Sequence, residues 1–194
     1  FHQKYINQRI PDIPVNVKYS FKNGSHLQAG AVLRNMYYKD EIEDKDRIVT
    51  GWGASLSGIW QFAQNTSLCF QGVYGKGISN YIQDISGSGL DLVPSATAEG
   101  KLKAFNAWGG YIGFSHNWSK VLTSNIMYSY ARALDRYGMP ATSYKYAQYA
   151  AANLFWDFSE YGSCAIEYVF GRRNDFNKDY GNASRINTMI QYRF

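Results

Sequence analysis

Apolar and polar residues alternate one by one along most of the chain, the period of extended strands with one oily face and one wet face. In the closing stretch RINTMIQYRF, Ile186, Ile190 and Tyr192 share one parity, and Arg185, Asn187, Gln191 and Arg193 share the other. In 47–63, Ile48, Trp52, Ala54, Leu56, Trp60 and Phe62 oppose Gly51, Gly53, Ser55, Ser57 and Gln61. In 100–118, Leu102, Trp108, Ile112, Phe114 and Trp118 oppose Lys101, Lys103, Tyr111, Ser115 and Asn117, and in 161–173, Ile166, Tyr168 and Phe170 oppose Glu167, Gly171 and Arg173. The pattern predicts nine strands, at 13–22, 25–38, 47–63, 66–80, 100–118, 121–134, 143–157, 161–173 and 183–194. These lengths meet or exceed the ~9–11 residues a tilted strand needs to cross a bilayer.

The predicted connections alternate short and long. KNGS (22–25), QNT (64–66), SK (119–120) and the turn at 158–161 are short, whereas 39–46, 81–99, 135–142 and 174–182 are longer. One tight rim and one elaborate rim are expected of an up-and-down outer-membrane barrel, with oil outside and water inside. A soluble sandwich has no reason to keep that alternation. The fold class expected is therefore all-β, an antiparallel up-and-down transmembrane β-barrel. Trp60, Phe62 and Trp118 fall beside short turns, where an interfacial aromatic girdle belongs. Phe194 falls on the same rim, so the C-terminus is expected at the periplasmic face.

Two residues break the pattern. Arg132 has the parity of Tyr128 and Tyr130, and Lys76 that of Phe70 and Tyr74, so each faces lipid unless a bulge shifts the register, the residue lies beyond the bilayer, or another subunit covers it. Nine is also an odd count, and single-chain bacterial barrels close with an even one. FHQKYINQRI is short and alternates poorly as a tenth strand. The expectation is thus a single unit over 1–194, the C-terminal portion of a larger barrel whose N-terminal strands are missing.

Composition sharpens this picture. Aromatics make up 17% and mean hydropathy is −0.39, which suits strands that are polar on one side. No apolar run is long enough for a spanning helix, and FHQKYINQRIPD does not read as a secretory signal. The net charge of +5 comes from basic residues scattered along the strands, which argues against a nucleic-acid footprint. His2, His26 and His116 lie far apart with no nucleophile beside them, so no enzyme is expected, and no cofactor or metal. Cys69 and Cys164 read more readily as small packed residues than as a disulfide. Asp84, Asp91 and Glu99 match no calcium-loop spacing. Loop 81–99 either folds into the lumen as a constriction or stays on the surface. Loop KDEIEDKD reads as a charged, solvated cap.

The parity opposite the oily face collects Lys18, Arg34, Lys101, Lys103, Arg173 and Arg185, with Arg193 near the rim, against Glu167 as the one comparably clear carboxylate. A wet lumen lined this way attracts anions. The rival readings are a soluble, aromatic-rich β-sandwich that binds glycans, and a non-conducting anchor barrel.

The last 44 residues, AANLFWDFSEYGSCAIEYVFGRRNDFNKDYGNASRINTMIQYRF, resemble the C-terminal end of DcaP-like outer-membrane porins. The matching positions are Asn153, Leu154, Trp156, Glu167, Tyr168, Gly171, Arg172, Arg173, Arg185, Gln191, Tyr192, Arg193 and Phe194. RIPDIPVNVKYSF and YGKGISNYI resemble two further family stretches, although Asn16 and Lys18 stand where an arginine is expected. The resemblance implies a homotrimer of 16-stranded barrels passing dicarboxylates and other small anionic solutes, with strands 8 to 16 present here. It also implies that Phe194, with Tyr192 and Ile190, is an assembly signal read by the barrel-assembly machinery. The setting implied is the bacterial outer membrane, with its lipids and lipopolysaccharide as neighbours.

Overall fold

The computed structural model describes residues 9–40, 42–98 and 100–194. Residues 1–8, and with them most of FHQKYINQRI, lie outside the described residues, as do Glu41 and Glu99. The described residues form eleven strands: β1 (Ile13–Ser20), β2 (His26–Asp40), β3 (Lys45–Ala63), β4 (Thr66–Lys76), β5 (Leu92–Pro94), β6 (Leu102–Ala104), β7 (Asn106–Asn117), β8 (Leu122–Ala133), β9 (Tyr144–Asp157), β10 (Gly162–Asp175) and β11 (Tyr180–Tyr192). Nine form one antiparallel sheet in the order β1-β2-β3-β4-β7-β8-β9-β10-β11, each spanning strand beside its predecessor. β5 and β6 form a separate two-stranded hairpin inside the connection between β4 and β7.

The register carries the alternation intact across the wall. Ile13, Leu33, Trp52 and Lys76 lie in one outward row, and Tyr128, Ala150, Phe170 and Ser184 in another. The outward residues are exposed although large and apolar: Leu56 is 52% exposed, Ile126 61% and Ile190 85%. In water such a face would be a severe liability, whereas in a bilayer it is the solvent-matched side. Aromatic pairs bracket it. Phe21 and Trp60 meet edge to face at 5.5 Å, and Trp156 and Phe158 at 5.8 Å, beside the tight turns. Toward the other rim Trp52 meets Tyr74 at 5.7 Å, and Tyr130 lies 5.0 Å from Trp108 and 5.5 Å from Tyr146. From Trp52 to Trp60 the strand runs about 26 Å at ~3.3 Å per residue. At a ~40° tilt this projects to about 20 Å, close to the apolar height of a spanning barrel.

Three predicted features change. The strand expected over 100–118 is two: β6 ends at Ala104, Phe105 is fully buried, and β7 starts at Asn106. The loop therefore runs from 77 to 105, longer than its composition suggested. The connections at 39–46 and 174–182 shrink, because β2 and β3 pair as far as Asp40 and Lys45, and β10 and β11 as far as Asn174 and Tyr180. Charged side chains hold the first extension: Arg47 bridges Asp40 at 2.5 Å and Glu43 at 2.8 Å, and Lys39 meets Asp44 at 2.5 Å. Finally, no bulge rescues Lys76 or Arg132. The registers of β4 with β7, and of β8 with its neighbours, run unbroken, and both side chains are exposed on the outward face.

Candidate constriction and inner wall

The inner face is small or polar at mid-height, and this leaves room for the loop. A Cβ on Gly53 would stand 3.0 Å from Ile78 Cγ2, and one on Gly109 would stand 3.2 Å from Ile82 Cγ2. The loop brings Ile78, Ile82, Ile85, Val93 and Phe105 down onto Val32, Val73, Ala107, Ala131, Ala133 and Ala147. Ile78 and Phe105 are fully buried and Ile85 is 1% exposed. Each such side chain contributes roughly 1.5–3 kcal/mol on leaving water, which favours the seated loop over a solvated one. Of the two placements left open by composition, the folded-in one is found.

Two polar anchors fix the loop to opposite stretches of the wall. On β2, Arg34 is 5% exposed; its Nη1 lies 3.0 Å from Asp91 Oδ1, and its Nε lies 3.0 Å from Asp12 Oδ2, off the axis of a hydrogen bond. Arg34 also donates to the carbonyl of Gly77. Asp91 accepts from the Ser79 amide at 2.9 Å, the Ser79 hydroxyl at 2.7 Å and Asn80 Nδ2 at 3.0 Å. Tyr81 donates its hydroxyl to Asp12 Oδ2 at 2.6 Å, and its ring lies 5.5 Å from the guanidinium. Burial, and then the hydrogen bond to Asp12, push the Tyr81 hydroxyl up to about 12. On β9, Tyr144 donates to Asp84 and to the Ala131 carbonyl. The loop thus crosses from β2 to β9 over the strands between them.

Below the loop a cavity of about 420 Å³ is lined by Gln71, Tyr81, Gln83, Asp84, Tyr111, Ser129 and Tyr149 among others. Farther around the wall a hydrogen-bonded row crosses four strands. Asn125 donates to Asn153 at 2.8 Å, Asn153 to Glu167 Oε2 at 3.3 Å, and Asn187 to Glu167 Oε1 at 2.9 Å. In a low-dielectric wall such a row keeps Glu167 solvated by protein dipoles.

The basic residues singled out by parity fall into three groups. Lys18 and Arg185 are exposed on the inner face of the edge strands β1 and β11. Arg173 shares that face beside Tyr144, and it is paired to Asp175 at 2.9 Å. Arg34 does not present a free charge, because Asp12 and Asp91 enclose it. Lys101 and Lys103 are not wall residues: they belong to the β5–β6 hairpin region, where Lys103 meets Asp135 at 2.6 Å and Lys101 lies 3.8 Å from Glu43. The parity of β7 does not extend to them, because β6 ends at Ala104 and the buried Phe105 separates it from β7. The carboxylates considered as metal ligands are separated: Asp84 serves Tyr144, Asp91 serves Arg34, and Glu99 lies outside the described residues. Cys69 and Cys164 are free, on β4 and β10. Sequence reasoning missed Asp12, Tyr81 and Tyr144 as anchors. The signal available for them was a polar residue of inward or loop position beside an apolar stretch.

An antiparallel wall with a lipid-type outer face and an inner face crossed by a pinned loop is the architecture of an outer-membrane β-barrel protein. The family model described as DcaP outer membrane protein matches residues 6–194, and the chain belongs to that family. The fold is similar to the crystal structure of the outer membrane channel DcaP of Acinetobacter baumannii, with a TM-score of 0.78 at 18% identity. That alignment covers 97% of this chain and 53% of the channel, so the chain spans about half of its length. The NanC porin aligns over 94% of this chain and 93% of its own at 12% identity, with a TM-score of 0.46; the KdgM porin aligns over 98% and 96% at 10%, with a TM-score of 0.35. No curated protein matches the sequence.

Proposed function

We propose that the full-length protein is a homotrimeric outer-membrane porin through which small hydrophilic solutes diffuse passively, with a preference for anions such as dicarboxylates. β1–β4 and β7–β11 form a contiguous part of that barrel's wall. The observation that carries the reading is the loop 77–105, anchored at Arg34 and at Tyr144 across an inner wall of Gln, Ser and Tyr side chains. A rigid element seated in a wet lumen sets a size limit and does no chemistry, and the family and fold favour a channel over an enzyme.

Edge geometry supports the larger barrel. Among the described residues β1 and β11 each pair on one side, and an open edge is untenable in hydrocarbon, so further strands close the wall, to 16 as the family resemblance implies. The tight turns and Phe194 share one rim, which is periplasmic in barrels of this type. There the closing strand, with Ile190, Tyr192 and Phe194, is offered to the barrel-assembly machinery. The anion preference rests on Lys18 and Arg185, with Arg173 partly offset by Asp175. Planar-bilayer recording of the full-length protein tests the reading: stepwise conductance and a reversal potential of anion sign under a salt gradient are expected. Absence of conductance would sink it.

A further inference from the structure

Lys76 and Arg132 remain unexplained by the channel. Lys76 stands opposite Trp52 of β3 and Asn106 of β7, and Arg132 opposite Trp108 of β7 and Tyr146 of β9. Both point outward and are exposed, and neither has a carboxylate ion-pair partner among the described residues. Both stand at the level of the aromatic belt residues they pair with, one outward step rimward of Tyr74 and Tyr130 respectively. An outward Arg or Lys is costly at a bilayer midplane and nearly free near the interface, so this height is where they are tolerated. Tolerance does not explain the next feature.

Directly toward the membrane, Gly72 and Gly110 face one another across β4 and β7 and floor an open groove of about 810 Å³. Its walls are Leu56, Tyr74, Trp108, Ile112, Tyr128 and Tyr130, and it is lined almost entirely by apolar surface. A Cβ on Gly72 would meet nothing within 4 Å, so the floor is not filled by a neighbour. Along β4 the groove floor lies ~13 Å from Lys76, and Lys76 and Arg132 stand two strands apart, ~10 Å across the sheet. Two separated cations above a broad apolar furrow match a headgroup with more than one phosphate above several acyl chains. A phospholipid offers one phosphate and two chains.

We propose that this face is a docking site for the bis-phosphorylated, multiply acylated lipid anchor of lipopolysaccharide, with Lys76 and Arg132 on its phosphates and an acyl chain over Gly72 and Gly110. The assignment rests on the porin reading in one respect: the rim bearing loop 77–105 must meet the outer leaflet.

The test uses the full-length protein, delipidated in detergent, with binding of diphosphoryl lipid A followed by native mass spectrometry. Dephosphorylated lipid A and phosphatidylglycerol serve as comparison probes. Diphosphoryl lipid A is expected to bind at least ~10-fold more tightly than either, since only it offers a charge-assisted partner to both cations. The pair Lys76→Gln/Arg132→Gln should lose ~10-fold or more, and Gly72→Leu, whose added side chain has open space to occupy, should lose affinity while the channel folds and conducts as before. Equal binding of phosphatidylglycerol, or wild-type affinity in both variants, overturns the site. So does a disulfide between copies formed by Arg132→Cys, which assigns the face to a subunit contact. Normal conductance with no lipid A binding rejects the site alone; lipid A binding with no conductance rejects the porin reading alone.

Discussion

Arg34 of β2 and Asp91 of the folded-in loop meet at 3.0 Å with side chains only 6% and 10% exposed, so the loop is held to the wall by a charge pair removed from water. Breaking a buried pair from one side costs ~3–5 kcal/mol, because the remaining charge stays buried and uncompensated. Here Asp12 still faces the guanidinium, which places the expected cost of Asp91→Asn at the lower end. A loss of about 3 kcal/mol raises the population of the released loop by roughly 100-fold. The measurements are limited proteolysis at 77–105 and single-channel conductance of the full-length protein, and both should increase while the far-ultraviolet circular dichroism of the sheet is unchanged.

The same anchor should weaken in alkali. Tyr81 is pushed up to about 12 by burial and by its hydrogen bond to Asp12, against ~10 for a free tyrosine. The folded loop retains the proton that the released loop gives up, so the stabilisation is whole below pH ~10 and fades as pH rises through about 12. Conductance of the wild type should therefore increase between pH 9 and 11.5. Tyr81→Phe has no hydroxyl to ionise and should show a smaller increase over that interval.

Arg185 and Lys18 should set ion preference where Arg34 does not. Lys18→Glu/Arg185→Glu is expected to move the reversal potential under a KCl gradient toward cation selectivity. Arg34→Gln should alter loop release far more than it alters selectivity, because its charge is already matched by Asp12 and Asp91. An equal shift from Arg34→Gln would contradict this division.

The Asn125–Asn153–Glu167–Asn187 row should contribute to barrel stability. Asn153→Leu deletes a donor to Glu167 and the acceptor used by Asn125. A group left without its partner costs ~1–3 kcal/mol, more when charged. Thermal unfolding followed by gel mobility should shift downward, and more for Asn153→Leu than for Asn187→Leu, which removes one donor only.

Much of the wall was legible in the chain, and the reasons are local. Ile186, Ile190 and Tyr192 alternate with Arg185, Asn187 and Gln191 because a strand puts neighbours on opposite faces, whatever it pairs with. Trp60 and Trp118 announced a rim because interfacial aromatics lie next to turns. The errors lie where a strand stops for a tertiary reason. Lys101 and Lys103 kept the parity of β7 on paper, yet burial of Phe105 under the loop breaks the strand before Asn106. Lys39 to Asp46 looked like a loop by charge, although Arg47 and Asp40 close it into a continued hairpin.

The sequence by itself determined which side of each strand meets lipid and which meets water, since solvent acts on every residue separately and leaves its mark at a period of two. Only the tertiary structure decided that loop 77–105 lies on the inner wall, that Arg34 is spent on Asp12 and Asp91, and that Lys76 and Arg132 stand together at the rimward end of an apolar groove. Those outcomes depend on pairs of residues far apart in the chain, and no local period records which of them will meet.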